Sequence, residues 1–360
     1  MDLSNVRAPR YHIPGGTLFQ DGGTAVRLTR RRIAAIAVAA LLAAPAADYV
    51  LYPRLAGVGG EHGRSGDAGI WLRYWWYTGE RTEDQRAQTA LALKRRGFRY
   101  LYCHVGEIGG DGRLERGRLR DGEHLIRGFA EDPDLVPIAW ILAKTPGIGG
   151  PVDISRRSVR EAMVEEGAWL VEECGFAGVQ WDWEYAPGAT DDLVALLRET
   201  RGALPEGAIV SIATPCWRTC RWLAGGWSEA DFERIAPECD EVCVMCYDTA
   251  MFLPRAYVWL TRRQMLRVPA AVARGNPECR VLIGLPTYGD RGSLSSHHAH
   301  AENVRMGLKG VREGLATARG RGPVTSTFAG PAIFANWTTD EAEWETWDEL
   351  WLDGGEGDEP

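Results

Sequence analysis

Eight short apolar runs recur along the chain, and amphipathic stretches separate them. The runs lie at 70–76, 98–105, 135–142, 177–184, 208–214, 241–247, 280–286 and 331–337. They are nearly continuous rather than alternating, which is typical of parallel strands covered on both faces. Eight strand–helix units predict a (β/α)8 barrel, for which about 250 residues are usual. An open doubly wound sheet is disfavoured because the chain contains no Gly-x-Gly-x-x-Gly segment.

Polar residues followed three positions later by a carboxylate indicate helix starts, because the two side chains cap exposed backbone N–H groups. The predicted starts are Ser158 with Glu161, Thr190, Ser228 with Asp231, and Thr338 with Glu341. The last helix carries Trp344, Trp347 and Trp351 at helical spacing. This spacing predicts that the three indoles pack in the core.

The N-terminal region predicts a leader. Residues 1–32 are basic, and residues 33–47 carry no charge. A membrane span needs about 20 apolar residues and a signal-peptide core needs fewer, so residues 33–52 are interpreted as a signal peptide or membrane anchor. A buried Ala-rich helix is the alternative. A linker over 53–68, a barrel over 69–352 without a large insertion domain, and an acidic tail over 353–360 complete the predicted organisation.

Charge excludes one class of partner. The net charge is −8, and residues 1–32 carry six Arg against two Asp, so the remaining chain carries −12. Nucleic-acid binding needs a basic face, so no nucleic-acid partner is expected.

We expect a secreted or membrane-anchored monomer that contacts a membrane only through residues 33–52. No cofactor motif is present, and no metal is expected.

Cysteine and histidine clusters offer little sign of a metal. Cys239 and Cys279 each precede a predicted strand and form the best disulfide candidate if those strands are neighbours; Cys216 with Cys220 is the second. Cys243 and Cys246 fall in an apolar run and are interpreted as core residues. The segment "HHAH" at 297–300 is interpreted as a solvated loop because no carboxylate accompanies it.

The segment "GFAGVQWDWEYAP" at 175–187 combines aromatic residues with two carboxylates. Side chains alternate along a strand, so Gln180, Asp182 and Glu184 share one face while Trp181 and Trp183 share the other. Two indoles belong beneath the helices of a barrel, so the carboxylates are expected to face the lumen. Glu184 then lies at the C-terminal end of its strand, where such barrels hold their active sites.

Five segments in order resemble the family 18 glycoside hydrolases, the chitinase-type family. "AGVQWDWEY" resembles the D-G-x-D-x-D-x-E signature, and the other matches are "SIATP" (211–215), "VMCYD" (244–248), "IGLPTYG" (283–289) and "FANW" (334–337). The resemblance covers residues 70–350. Ala177 and Gln180 depart from it, because the family carries Asp at both positions.

The resemblance implies roles for individual residues. Glu184 would be the general acid, and Asp182 would hold the 2-acetamido N–H of the sugar. Tyr247 would hydrogen-bond the acetamido oxygen. Asp248 would position that group, and Trp337 would stack on the sugar face. Because an amide cannot take up a proton, Gln180 is expected to leave Asp182 ionised.

Other side chains extend the expected substrate site. Tyr74 and Trp76 are predicted to contact the sugar, although Trp71, Trp75 or Trp140 could do so instead of packing.

The predicted function is an exported glycosidase that cleaves β-linked N-acetylglucosamine glycans such as chitin, peptidoglycan or N-glycans. One alternative is a barrel glycosidase that pairs Glu184 with Glu107 or Asp248. The other is a non-hydrolytic carbohydrate-binding relative.

Overall fold

The structure is a computed structural model that describes most of the chain. The described residues are 30–55, 57–59, 67–76, 79–119, 126, 128–184, 188–218, 226–290, 296–320 and 322–352. The chain divides into two compact units, residues 1–45 and 46–360. Residues 1–29 of the basic region, Cys220 and the predicted acidic tail lie outside the described residues.

Eight strands form a closed parallel barrel in chain order. The strands are β1 Ala68–Leu72, β2 Phe98–Glu107, β3 Val136–Lys144, β4 Gly178–Glu184, β5 Ile209–Pro215, β6 Glu241–Met245, β7 Arg280–Pro286 and β8 Phe328–Phe334. β1 pairs with β8 through Gly69 and Ala332, which closes the ring. The predicted barrel is therefore confirmed.

Helices connect most of the strands. The helices are α1 Arg30–Leu55, which precedes β1, α2 Glu83–Arg95, α3 Arg157–Glu172, α4 Asp191–Ala203, α5 Glu229–Ile235, α6 Pro254–Gly275, α7 Val304–Ala318, α8 Gly322–Thr327 and α9 Glu341–Trp347, which follows β8. Between β2 and β3 the described residues form turns, including a single 3-10 turn at Arg116–Arg118. The first strand ends earlier than predicted, because Tyr74–Trp76 form a 3-10 turn.

Two of the four predicted helix caps are confirmed. Thr190 caps α4, and Ser228 forms a capping box with Asp231 at the start of α5. The other two predictions are wrong. α3 starts at Arg157, whose guanidinium pairs with Glu161 at 2.8 Å, so this carboxylate is not a cap. α9 is capped by Asp340 with Glu343, because the Thr338 hydroxyl donates to the Ala335 carbonyl at 3.0 Å.

The barrel has a lumen layer and an outer layer. Trp181 and Trp183 belong to the outer layer, between the strands and the helices. Trp181 is fully buried there, and its indole N–H donates to Thr200 Oγ1 on α4 at 3.1 Å. Alternation along β4 therefore turns Gln180 and Asp182 into the lumen. Trp347 and Trp351 are buried in the outer layer, as predicted, whereas Trp344 is only half-buried.

The predicted leader overlaps α1. Within the second unit, Asp48 of this helix pairs with Arg255 of α6 at 2.7 Å, and Lys309 of α7 donates to the Gly57 carbonyl at 2.6 Å. The described part of the predicted linker thus contacts the barrel. Among the described helices, none has both the length and the apolar character required to cross a membrane.

Neighbouring strands bring two cysteine pairs together. Cys239 and Cys279 precede β6 and β7, which pair in register, and their sulfurs lie 3.8 Å apart. The expected proximity is confirmed, although both residues are free thiols in this structure. Cys216 lies 3.4 Å from Cys246, across β5 and β6. Cys243 and Cys246 are buried, as predicted.

Candidate active site

The lumen end of β4 holds the first candidate residues. Asp182 is 4% exposed, and Trp140 of β3 donates its indole N–H to Asp182 Oδ2 at 2.9 Å. Trp140 therefore contributes to the site rather than only packing. Glu184 is the last residue of β4, and its backbone pairs in register with Lys144. The side chain of Glu184 lies outside the described part of the structure.

Gln180 is the centre of a buried polar chain beneath Asp182. It is fully buried, and its Oε1 accepts a hydrogen bond from Trp71 Nε1 at 3.0 Å. Its Nε2 donates to Ser211 Oγ at 3.0 Å, and Ser211 donates in turn to Glu241 Oε1 at 2.9 Å. These partners fix the amide with its oxygen toward β1 and its nitrogen toward β5.

Glu241 is a carboxyl group buried inside the barrel. Its Oε1 also accepts from the Tyr102 hydroxyl at 2.8 Å, and Cys243 donates to that hydroxyl at 2.9 Å. Burial raises the pKa of Glu241, although the charge of Arg280 opposes that effect. The Arg280 Nε lies 3.9 Å from Oε2. The lumen therefore contains a second acidic group that the sequence did not single out.

Tyr247 follows β6 and lies in an aromatic cluster. Its ring stacks on Phe334 with centroids 4.6 Å apart and meets Trp71 and Tyr288 edge-on. Burial raises the pKa of Tyr247 well above 10, and the charge of Asp182 is the second cause. The phenol is therefore a stable O–H donor near Asp182. The structure thus brings these two predicted residues together.

Two parallel indoles form an aromatic wall beside the carboxylate. The rings of Trp140 and Trp337 are 12° from parallel, with centroids 6.4 Å apart. The ring of His104 lies 4.5 Å from that of Trp140. Phe334 contacts both indoles edge-on. Trp337 is half-buried, so part of its surface is available to a ligand.

The loop after β6 carries Asp248, which is exposed and has φ +53°. Buried Glu302 holds the residues that follow: it accepts from the Thr249 hydroxyl at 2.8 Å and from the Met251 N–H at 3.0 Å. Its other oxygen accepts from the Thr249 N–H at 3.2 Å. One buried carboxylate therefore fixes the loop that positions Tyr247 and Asp248.

The "HHAH" segment is solvated only in part, because its first histidine is buried and its last is exposed. His297 is fully buried, with Nδ1 3.3 Å from Glu302 Oε2 and Nε2 2.8 Å from the Tyr288 carbonyl. The prediction was wrong for His297, whose carboxylate partner is Glu302, just before α7. Among the described residues, no group of three or more His, Cys, Asp or Glu side chains could hold a metal ion.

The aromatic turn after β1 divides between two locations. Tyr74 is exposed, and the guanidinium of Arg73 lies over the rings of Trp75 and Trp337, at 4.7 and 5.7 Å. Arg73, Tyr74 and Trp75 therefore border the site. Trp76 packs against the outer layer, and its indole N–H donates to Asn336 Oδ1 at 3.2 Å. The structure thus separates Trp76 from Asp182 and Tyr247.

Glu107, the candidate second acid, ends β2 and pairs with Lys144 at 2.9 Å. Because Lys144 is in register with Glu184, this ion pair lies next to the strand end that carries the proposed acid. Both partners are exposed at the rim of the barrel. The pair therefore places one ammonium group and one carboxylate near the site.

Comparison with known proteins places this geometry in a family. The sequence model described as Glycosyl hydrolases family 18 matches residues 147–352, more than half of the chain. No curated protein sequence matches the chain.

Several solved structures share the fold. The C-terminal domain of a putative chitinase from Desulfitobacterium hafniense DCB-2 has a TM-score of 0.55 at 14% identity, covering 79% of this chain and 98% of that one. The spore cortex-lytic enzyme SleL of Bacillus megaterium QM B1551 has a TM-score of 0.53 at 14% identity, covering 81% and 75%. A plant class V chitinase mutant from Cycas revoluta, in complex with (GlcNAc)3, has a TM-score of 0.52 at 13% identity, covering 79% and 99%.

Proposed function

The chain belongs to family 18 of the glycosyl hydrolases, and on this premise we propose that it cleaves β-linked N-acetylglucosamine glycans with retention of configuration. The observation that carries the proposal is the meeting of Asp182, Tyr247 and the Trp140–Trp337 wall at the C-terminal ends of the strands. This arrangement offers a carboxylate, a phenol donor and an aromatic face to one sugar.

The first step is protonation of the leaving group. Glu184 donates its proton to the glycosidic oxygen, and the bond from that oxygen to the anomeric carbon breaks. The carbonyl oxygen of the substrate's own 2-acetamido group attacks the anomeric carbon, so no protein carboxylate is needed as nucleophile. The product of this step is a cyclic oxazolinium ion, and Glu184 is left as a carboxylate.

Two side chains stabilise that ion. The Tyr247 hydroxyl keeps its proton because burial raises its pKa, so it donates a hydrogen bond to the attacking acetamido oxygen. Asp182 accepts the acetamido N–H and faces the positive charge. Trp140 holds Asp182 from the other side through its indole N–H. Preorganised groups of this kind favour the transition state over the bound substrate.

The second step returns the proton. Water attacks the anomeric carbon from the side of the departed group, and Glu184 takes a proton from it. The oxazolinium ring opens, and the acetamido group is restored. Two inversions at one carbon leave the configuration unchanged. Trp337 supports the sugar ring throughout by stacking against its apolar face.

A substrate pair tests the mechanism. Chitin oligomers and peptidoglycan strands should be hydrolysed, whereas chitosan oligomers, which lack the acetyl group, should not. Glu184→Gln should abolish cleavage while retaining binding, because the amide carries no transferable proton. Cleavage of the deacetylated oligomers would contradict substrate assistance and favour a protein nucleophile such as Glu107 or Asp248. Binding without hydrolysis of any 2-acetamido glycan would favour a carbohydrate-binding protein.

We further infer that the barrel is exported. The support is the run Arg30–Arg32 before the uncharged residues 33–47. Expression of the full chain followed by membrane and periplasmic fractionation tests this, and N-terminal sequencing shows whether the leader is removed. Recovery of the intact chain only in the cytosol would refute export.

A further inference from the structure

A second cleft lies outside the barrel, between α2 and α9. It has a volume of about 360 Å³ and is lined by residues that include Trp76, Arg81, Gln88, Arg96, Asn336 and Trp344. Ligand sites in proteins commonly have volumes of about 300–1,000 Å³, so one or two sugar rings would fit. These residues define the outer cleft, and the mechanism above uses none of its polar groups.

The outer cleft combines indoles with guanidinium groups. Arg81 lies with its guanidinium carbon 5.1 Å from the ring centroid of Trp76, and Arg96 lies 4.8 Å from that of Trp344. An Arg held against an aromatic face keeps its in-plane N–H donors available to a carboxylate. The walls therefore offer both apolar surface and planar, charged donors.

The charge of the outer cleft is only partly balanced. Arg96 Nε lies 3.4 Å from Asp348 Oδ1. Arg81 forms no ion pair with any carboxylate in the part of the chain that the structure describes. An unbalanced guanidinium facing a cleft in an otherwise acidic body favours an anionic ligand. Arg81 is also half-buried, so its charge is less screened than that of a fully exposed side chain.

The outer cleft and the active site share one loop. Trp76 donates to Asn336 Oδ1 at 3.2 Å, and the backbone N–H of Asn336 donates to the Trp71 carbonyl at 3.1 Å. The next residue is Trp337 of the aromatic wall. A glycan bound along that wall would therefore run beside the loop that also borders the outer cleft.

We propose that the outer cleft binds a carboxylate-bearing saccharide, with Arg81 pairing with the carboxylate and the indoles of Trp76 and Trp344 contacting the sugar. The proposal rests on the proposed function in one respect, because the ligand is part of the same glycan. The outer cleft then binds an acidic glycan, such as one with a lactyl substituent, in preference to a neutral one. A paired carboxylate and guanidinium form two parallel hydrogen bonds, which discriminates against neutral sugars.

Calorimetric titration of the full-length Glu184→Gln protein tests the outer cleft without hydrolysis. The probes are the β-linked disaccharide of N-acetylglucosamine and N-acetylmuramic acid, which carries one carboxylate, and neutral chitobiose. Arg81→Gln should weaken binding of the acidic disaccharide about tenfold and change chitobiose binding less than twofold. The control is Arg95→Gln, an exposed residue of α2 outside the cleft lining, which should change neither.

The outcomes separate this site from the proposed function. Equal effects of Arg81→Gln and Arg95→Gln, equal binding of the two disaccharides, or no measurable binding of the acidic one would each overturn the proposal. Thermal unfolding of each variant shows that the fold is intact. If Arg81-dependent binding persists while the wild type hydrolyses no 2-acetamido glycan, the outer cleft stands and the proposed function fails. Hydrolysis without Arg81 dependence would mean that the proposed function stands and the outer cleft fails.

Discussion

His104 should make the stability of the barrel fall at acidic pH. The residue is half-buried near the C-terminal end of β2, and its ring lies against Trp140. Burial lowers the pKa of His104 from 6.5 to about 4, and the charges of Arg73 and Lys144 act in the same direction, against the opposing charge of Glu107. Nε2 is buried and has no hydrogen-bond partner among the described residues.

The magnitude follows from proton linkage. Above pH 6.5 the imidazole is neutral in both the folded and the unfolded chain, and its contribution to stability is fully present. As pH falls from 6.5 towards 4, the unfolded chain takes up the proton while the folded protein does not, so the free energy of unfolding falls. A pKa difference of about 2.5 corresponds to a loss of about 3 kcal/mol, since one pKa unit is about 1.36 kcal/mol.

Urea unfolding between pH 8 and pH 4 measures this loss. His104→Phe should match the wild type at pH 8 within about 1 kcal/mol, because the ring is retained and no hydrogen bond from Nε2 is lost. At pH 4 it should be more stable than the wild type by about 3 kcal/mol. His104→Gln, which also cannot titrate, should show the same pH dependence as His104→Phe, with a lower free energy of unfolding at pH 8. Parallel curves for wild type and both variants would refute the reasoning.

Two further variants test the buried carboxyl groups. Glu302→Gln replaces an oxygen that accepts hydrogen bonds from the loop after β6, so amide hydrogen exchange at Thr249 and Met251 should accelerate. The value of kcat/KM should fall about tenfold, which corresponds to about 1.4 kcal/mol. Unchanged exchange would contradict the role of Glu302 in positioning the loop. Gln180→Asp should destabilise the barrel by about 3 kcal/mol because it buries a second acidic group near Glu241, where one carboxyl must hold a proton or leave a charge without its hydration. Adding Glu241→Gln should recover at least half of that loss, and strictly additive unfolding free energies would show that the two positions are independent.

The fold could be predicted because its signal is local and repeated. Each strand is a short apolar run, and eight such runs leave few other topologies. The ends of the first strand were harder to predict. The aromatic residues at 74–76 continue the apolar pattern, yet they form a turn after Leu72 because Trp76 packs into the outer layer. Hydrophobicity alone cannot distinguish a strand from a packed turn.

The site was only partly predictable. Alternation along one strand was enough to place Gln180 and Asp182 in the lumen. The partners of these residues come from other strands, and only closure of the barrel brings them within hydrogen-bonding distance. No local sequence pattern indicates the roles of three residues. They are Phe334 at the centre of the aromatic cluster, Ser211 beside Gln180, and Glu302 behind the loop after β6. A carboxylate at the first position of an apolar strand was the one available sign of Glu241.

The amide at position 180 has a physical reason in this lumen. An Asp there would place a negative charge two residues from Asp182 and close to Ser211, which donates to Glu241. Carboxylates that share a water-poor site cannot all ionise, so one would hold a proton. Gln180 instead accepts from Trp71 and donates to Ser211, satisfying both partners without charge. The acidic group that the resemblance places at 180 is thus replaced by an amide, with a carboxyl group one hydroxyl away at Glu241, and Asp182 remains the carboxylate that Trp140 holds through its indole N–H.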